Sequence, residues 1–241
     1  MKKDLSFLKD LLIAHRGLHN ERFPENSLGA FKEALKNKKP IELDLHLLSS
    51  GEVVVFHDDN LKRMTGLDKK INECTYEEIK ALRLLGTKER VPLLSEVLDL
   101  VQGKEILDIE FKDSNKAGVL ESKTVILLDN YKGKFIVKSF NPLSVLWFKK
   151  NRPHFIRGQL VSDYANTKMN IAKKYLLKRM FLNIITKPDF IGYDIRIVNS
   201  KIVNKLAKKN IPLILWTIRN KEELRVAQNY RASVVYEKLI L

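Results

Sequence analysis

Two stretches of this 241-residue chain place carboxylates at the spacing of one strand face. In PIELDLHLL, residues 40–48, strand alternation puts Glu42, Asp44 and His46 on one face and Ile41, Leu43, Leu45 and Leu47 on the other. In EILDIEFK, residues 105–112, Asp108, Glu110 and Lys112 share a face opposite Leu107, Ile109 and Phe111. Buried carboxylates are costly unless cations neutralise them, so either a metal ion or a salt-bridge network with Arg16 and Lys112 belongs among Glu42, Asp44 and Glu110. Three hard oxygen donors suit Mg2+ or Ca2+ better than zinc. Two histidines stand beside this set: His15, followed by Arg16 and Gly17, and His57, near the end of VVVFHD and followed by Asp58. Imidazole changes charge near neutral pH, which suits such a pair to proton transfer.

The elements that would hold these groups alternate along the chain. Short apolar runs near residues 11, 41, 105, 135, 156, 190, 212 and 232 read as strands, and amphipathic stretches such as LGAFKEALKN and KEELRVAQNY read as the helices between them. About eight strand–helix units predict a (β/α)8 TIM barrel, a fold that typically needs about 250 residues. The residues 53–85 interrupt the alternation, and too few residues follow the last strand for a full eighth helix, so that helix is short or missing; segment 2–10 is a candidate to cover the gap. No linker or internal repeat marks a boundary, which predicts one domain over 1–241. Catalytic groups in such barrels lie at the carboxyl ends of strands, where His15 and His57 fall. Pro24-Glu25-Asn26-Ser27 precedes the first amphipathic helix, so Asn26 or Ser27 reads as its N-cap. Asn26 reads equally as a site contact, while Glu25 reads as a brace for Arg16 or for the waters of a metal. His46 reads as a neighbour of the ligands rather than a ligand, Asp194 and Arg196 as a mutual pair, and His19 and His154 as solvent-facing loop residues.

Together these residues resemble the glycerophosphodiester phosphodiesterase family. The resemblance rests on HRG (15–17), PENS (24–27), E-L-D with VVVFHD (42–58), the L-x-R-x-T-G element (61–66), IEFK (109–112) and WTIRN (216–220), in the family's order over most of the chain. It implies a metal-dependent barrel that hydrolyses glycerophosphodiesters to glycerol 3-phosphate and an alcohol. By the same resemblance His15 and His57 are the acid/base pair and Glu42, Asp44 and Glu110 hold one divalent metal ion, Mg2+ or Ca2+. Arg16 and Lys112 bind the phosphate, Trp216 is a wall against the glycerol moiety, and a small insertion follows the second strand over about 45–92. The chain departs from the family where Leu48-Ser49-Ser50-Gly51 replaces a T-x-D-G turn and where Tyr236-Glu237-Lys238 follows the last strand.

Composition bounds the rest. A single cysteine, Cys74, precludes an internal disulfide and reads as an idle thiol. The first twelve residues carry Asp4 and Asp10 and no continuous apolar stretch, and no run approaches the roughly 20 apolar residues of a membrane span. A cytoplasmic protein is therefore expected. The net charge of +15 fits a phosphorylated substrate, an anionic membrane or a general lysine bias. No nucleic-acid module accompanies it, and nucleic acid is not expected as a partner. From Tyr164 to Pro188 there is no acid, and six cations stand among apolar residues. One reading of 168–187 is a peripheral contact with an anionic membrane, which would favour a lysophospholipid substrate. The other is an ordinary barrel helix whose apolar residues pack inward. A non-catalytic phosphate- or lipid-binding barrel is the remaining alternative, and intact His15, His57 and carboxylates argue against it.

Overall fold

The computed structural model describes residues 3–112, 117–165, 167–198 and 201–238. The chain folds as two compact units, Ala14–Phe135 and the combination of Met1–Ile13 with Ile136–Leu241. The first unit contains the end of strand β1 (Leu12–Ala14), helix α1 (Leu28–Lys36), strands β2 (Ile41–Leu47) and β3 (Val53–Val55), short helices α2 (Lys62–Thr65) and α3 (Tyr76–Ile79), helix α4 (Leu94–Val101), strand β4 (Leu107–Phe111) and helix α5 (Val119–Leu128). Ser27 starts α1: its hydroxyl accepts from the Ala30 N–H, and the helix buries Ala30, Phe31 and Ala34. β2 runs parallel to β4, with Glu42 opposite Asp108 and Asp44 opposite Glu110, and Ala14 lies opposite Ile41. Both faces of β2 are buried as far as His46, as expected for a strand in a covered parallel sheet.

After β2 the chain doubles back, and β3 pairs antiparallel with it, Leu47 opposite Val53 and Leu45 opposite Val55. The strand stops at Val55, so His57 and Asp58 lie just beyond it rather than within it. The stretch that interrupts the alternation has its own apolar core, built from residues that include Val54, Phe56, Leu61, Met64, Ile71, Cys74 and Ile79. Cys74 is fully buried there, and that burial pushes its thiol pKa up, which leaves it inert.

The second unit carries strands β5 (Phe135–Ser139), β6 (Arg157–Val161), β7 (Phe190–Asp194), β8 (Leu213–Ile218) and β9 (Ser233–Tyr236), each parallel to the next. Helices α6 (Pro142–Asn151), α7 (Ile171–Lys178), α8 (Asn183–Thr186), α9 (Lys201–Lys208) and α10 (Lys221–Asn229) connect them. The strand positions match the expectation closely because each apolar run is bounded by a cap or turn residue. The amino-terminal segment packs against this sheet, the last strand included: Leu8 is buried among Ile13, Ile136, Phe190, Ile214 and Val235, Ser233 Oγ donates to the Leu8 carbonyl at 2.6 Å, and Lys3 Nζ reaches Asp189 at 2.5 Å.

Gly158 and Phe190 stand opposite each other on β6 and β7. A Cβ on Gly158 would lie 2.2 Å from the Phe190 ring, so the glycine makes room for the aromatic. Gly158→Ala is expected to destabilise the protein by about 1–3 kcal/mol in denaturant unfolding. Phe190→Leu in the same chain should recover part of that loss, and an additive double mutant would show the two sites uncoupled.

Candidate active site

The site is assembled at the turn after β1. Arg16, Gly17 and Asn26 adopt left-handed backbone conformations, with φ of 54°, 81° and 56°. Gly17 is needed twice over, since a Cβ there would also sit 2.8 Å from the Ala30 carbonyl carbon at the start of α1. The bent turn aims backbone groups at β2: the Arg16 N–H donates to Glu42 Oε2 at 3.0 Å, and the Asn26 N–H donates to the Arg16 carbonyl at 3.0 Å. Asn26 then fixes the neighbouring carboxylate, donating from Nδ2 to Asp44 Oδ2 at 2.8 Å and accepting the Asp44 N–H at 3.4 Å. Ser27 provides the helix cap, and the Asn26 side chain engages Asp44 instead.

The carboxylates of Glu42, Asp44 and Glu110 are all buried, with one oxygen from each lying within 4.8 Å of the others. Two cations reach into the group. Lys112 Nζ is 2.8 Å from Glu110 Oε1 and 3.4 Å from Asp44 Oδ1, and Arg16 Nε is 3.3 Å from Asp44 Oδ2. Burial would push the Asp44 carboxyl pKa upward, but Lys112, His57, Arg16 and the Asn26 hydrogen bond outweigh it and hold it well below the usual carboxylate range. Burial likewise works against the Lys112 ammonium, and Glu110 with Asp44 overrides it and raises its pKa. The salt-bridge network is thus real. Three carboxylates against two cations still leave negative charge in a buried oxygen cluster, a donor set that fits a hard divalent cation.

His57 returns to this cluster through the β2–β3 hairpin. The Phe56 N–H donates to the Asp44 carbonyl at 2.9 Å, and His46 Nε2 meets the His57 carbonyl at 3.2 Å. Burial lowers the pKa of His46, which favours its neutral form and a supporting role. His57 Nδ1 is 2.7 Å from Asp58 Oδ1. Asp58 is held in turn by Arg63, which donates from Nε to Asp58 Oδ2 at 2.6 Å and from Nη2 to Glu25 Oε1 at 2.7 Å. Glu25 Oε1 also accepts from Arg16 Nη1 at 2.6 Å. A continuous chain therefore runs Arg16–Glu25–Arg63–Asp58–His57. Burial alone would raise the Asp58 carboxyl pKa, and the hydrogen bonds from His57 and Arg63 lower it. Glu25 is shifted the same way, its burial outweighed by Arg63 and Arg16. Glu25 thus contacts Arg16, one of the partners expected for it. Arg63 is the arginine of the L-x-R-x-T-G element, between Leu61 and Met64, both buried in the small core that carries α2; its motif marks the residue but not its role as a bridge between Glu25 and Asp58.

The remaining candidates lie in the second unit. Trp216 stands on β8 opposite Asp194, its ring edge-on to Phe140 with centroids 5.5 Å apart. Asp194 pairs with Arg196 as expected, accepting from Nε at 2.9 Å, and His154 is exposed against the Phe155 ring.

Residues 15–235 match the Glycerophosphoryl diester phosphodiesterase family. A glycerophosphodiester phosphodiesterase of Caldanaerobacter subterraneus subsp. tengcongensis is 32% identical over 235 residues, covering 90% of this chain and 89% of that protein. A human lysophospholipase D is 35% identical over 132 residues, 49% of this chain and 41% of its own. Among solved structures, an Oleispira antarctica phosphodiesterase in complex with the product sn-glycerol-3-phosphate superposes with a TM-score of 0.80 at 22% identity, over 98% of this chain and 95% of that one. This likeness in architecture shows the fold to be the (β/α)8 TIM barrel expected from the strand–helix alternation. The chain belongs to the glycerophosphoryl diester phosphodiesterase family and is a phosphoric diester hydrolase of that kind.

Proposed function

We propose that this enzyme hydrolyses glycerophosphodiesters to glycerol 3-phosphate and an alcohol, using His15 and His57 as proton-transfer groups. The observation that most supports this reading is the gathering of three buried carboxylates, Arg16 and Lys112 beside the Asp58-held His57. One divalent cation, Mg2+ or Ca2+, held by Glu42, Asp44 and Glu110 would supply Lewis-acid neutralisation of the phosphoryl oxygens. The chain's own residues do the rest. Arg16 offers a guanidinium fork and Lys112 a point charge to the phosphate, so negative charge growing on it is stabilised. Asn26 keeps Asp44 in place, and Glu25 keeps Arg16 in place.

One imidazole takes the proton of the attacking hydroxyl, from water or from the glycerol 2-hydroxyl, as the new P–O bond forms. The other gives its proton to the alcohol oxygen as that P–O bond breaks. Attack by the 2-hydroxyl yields a cyclic phosphate, which water then opens to glycerol 3-phosphate with the proton roles reversed. Because Asp58 engages Nδ1 of His57, Nε2 is the ring nitrogen available for this exchange. Arg63 acts at one remove, holding Asp58 for His57 and Glu25 for Arg16 with a single guanidinium.

A second substrate reading, a lysophospholipid taken at a membrane, is favoured by the exposed apolar and basic segment 168–187 and by the likeness of half the chain to a human lysophospholipase D. Within this proposal the enzyme works in the cytoplasm, where a free buried Cys74 is at home, and touches an anionic membrane peripherally through 168–187.

Release of glycerol 3-phosphate from glycerophosphocholine, glycerophosphoethanolamine and glycerophosphoglycerol is expected with Mg2+ or Ca2+ and not with chelator. His15→Ala should lower kcat by about a hundredfold or more. No release from any of the three with either ion would overturn the reading. For Arg63→Met, kcat is expected to fall roughly ten- to a hundredfold with KM changed less, and Arg63→Lys should restore part of it. An unchanged kcat would mean that Arg63 only ties the insertion together.

A further inference from the structure

Large apolar side chains are unevenly exposed on this protein. Of the eleven such residues exposed among those described, seven lie between 171 and 185: Ile171, Tyr175, Leu176, Phe181, Leu182, Ile184 and Ile185. Ile171 is 86% exposed, Ile184 77% and Ile185 54%. Helix α7 has no buried residue at all, so the reading of 168–187 as an ordinary helix packing its apolar residues inward fails. A short helix without a packed face has little to stabilise it in water. α8 is fastened more firmly, through buried Thr186 and through Lys149 Nζ, which donates to the Ile185 carbonyl. The pair thus presents an apolar patch on a base that the rest of its unit holds.

The charges around the patch identify what covers it. Lys168, Lys173, Lys178, Arg179 and Lys187 are exposed and Lys174 half-buried, and no acid occurs from Tyr164 to Pro188. A second copy of this chain would bring the same six cations against these six, which opposes self-association. A nucleic acid would satisfy the cations but leave the isoleucines and Phe181 facing phosphates and water. An anionic lipid surface satisfies both, with head-group phosphates for the cations and the acyl boundary for the apolar side chains. The aromatic groups suit that boundary: Tyr175 lies 6.2 Å from Phe181 between ring centroids, and the Arg179 guanidinium sits 5.3 Å over the Tyr175 ring.

Extending the proposed peripheral contact, on which this inference rests, we infer that α7 and α8 form a bilayer-inserting element. Phe181, Leu182, Ile184 and Ile185 enter the interface of an anionic leaflet, and the flanking cations hold its head groups. The enzyme is then delivered to diesters that carry an acyl chain, because it resides where they do.

The test is flotation of the full chain with phosphatidylcholine vesicles and with vesicles containing phosphatidylglycerol, at low and high salt. Binding is expected to the anionic vesicles and to fall roughly tenfold or more at high salt. Two variants separate the contributions: Ile184→Ser with Ile185→Ser, and Lys173→Gln with Lys174→Gln and Lys178→Gln. Each should lose about tenfold in vesicle binding while keeping the parent's thermal unfolding midpoint. No flotation on anionic vesicles at low salt would overturn the inference. So would full binding by the isoleucine variant, which would indicate charge adsorption without insertion, or a dimer in sedimentation that the same variant dissociates. Flotation reads no catalysis, so a chain that floats but releases no glycerol 3-phosphate sinks only the proposed reaction, and an active chain that never floats sinks only the membrane element.

Discussion

The interaction on which the first unit's site depends is the neutralisation of Asp44. Its carboxylate is buried in the middle of a strand, where an isolated negative charge could not persist. Three independent pieces of chain therefore converge on it: the turn after β1 brings Arg16 and Asn26, the end of β4 brings Lys112, and the hairpin return brings His57. None of these contacts is local in sequence. The condition that keeps the carboxylate charged is also the condition that assembles a pair of cations beside an oxygen cluster.

A second constraint is layered on the first. Glu25 and Asp58 both need a cation, and Arg63 serves both with one planar group while Arg16 serves Glu25 from the other side. The insertion that carries Arg63 has its own core, which makes α2 a rigid platform rather than a loose loop. The stretch that breaks the strand–helix alternation is thus the structural support for His57.

The strands and most of the carboxylate cluster were legible because strand alternation converts directly into faces: Glu42 and Asp44 share one on β2 because their spacing is two, and Glu110 joins them from β4, where it lies opposite Asp44. Asn26 was ambiguous because both it and Ser27 can cap a helix, and only the approach of β2 decides between them. Arg63 was illegible as a bridge, since its two partners lie 38 and 5 residues away and nothing local marks them. The basic segment misleads for a related reason. Apolar residues in a helix normally imply a covered face, and periodicity carries no information about whether a neighbour is there to cover it. The amino-terminal segment shows the same limit, since Leu8 and Lys3 find partners more than 150 residues away.

The two proposed proton-transfer histidines are held by backbones of different kinds. His15 follows a strand of the parallel sheet, whereas His57 follows a strand of three residues paired antiparallel to β2. β3 is nonetheless fully buried: Val54 lies in the small apolar core of the insertion and bridges to Leu93, and the Val55 N–H donates to the Pro92 carbonyl. The two histidines are thus fastened by different packing, one by the parallel strands and one by the insertion's own core, and such units open independently. Loosening the insertion's core alone would release His57 while leaving His15 and the parallel strands in place.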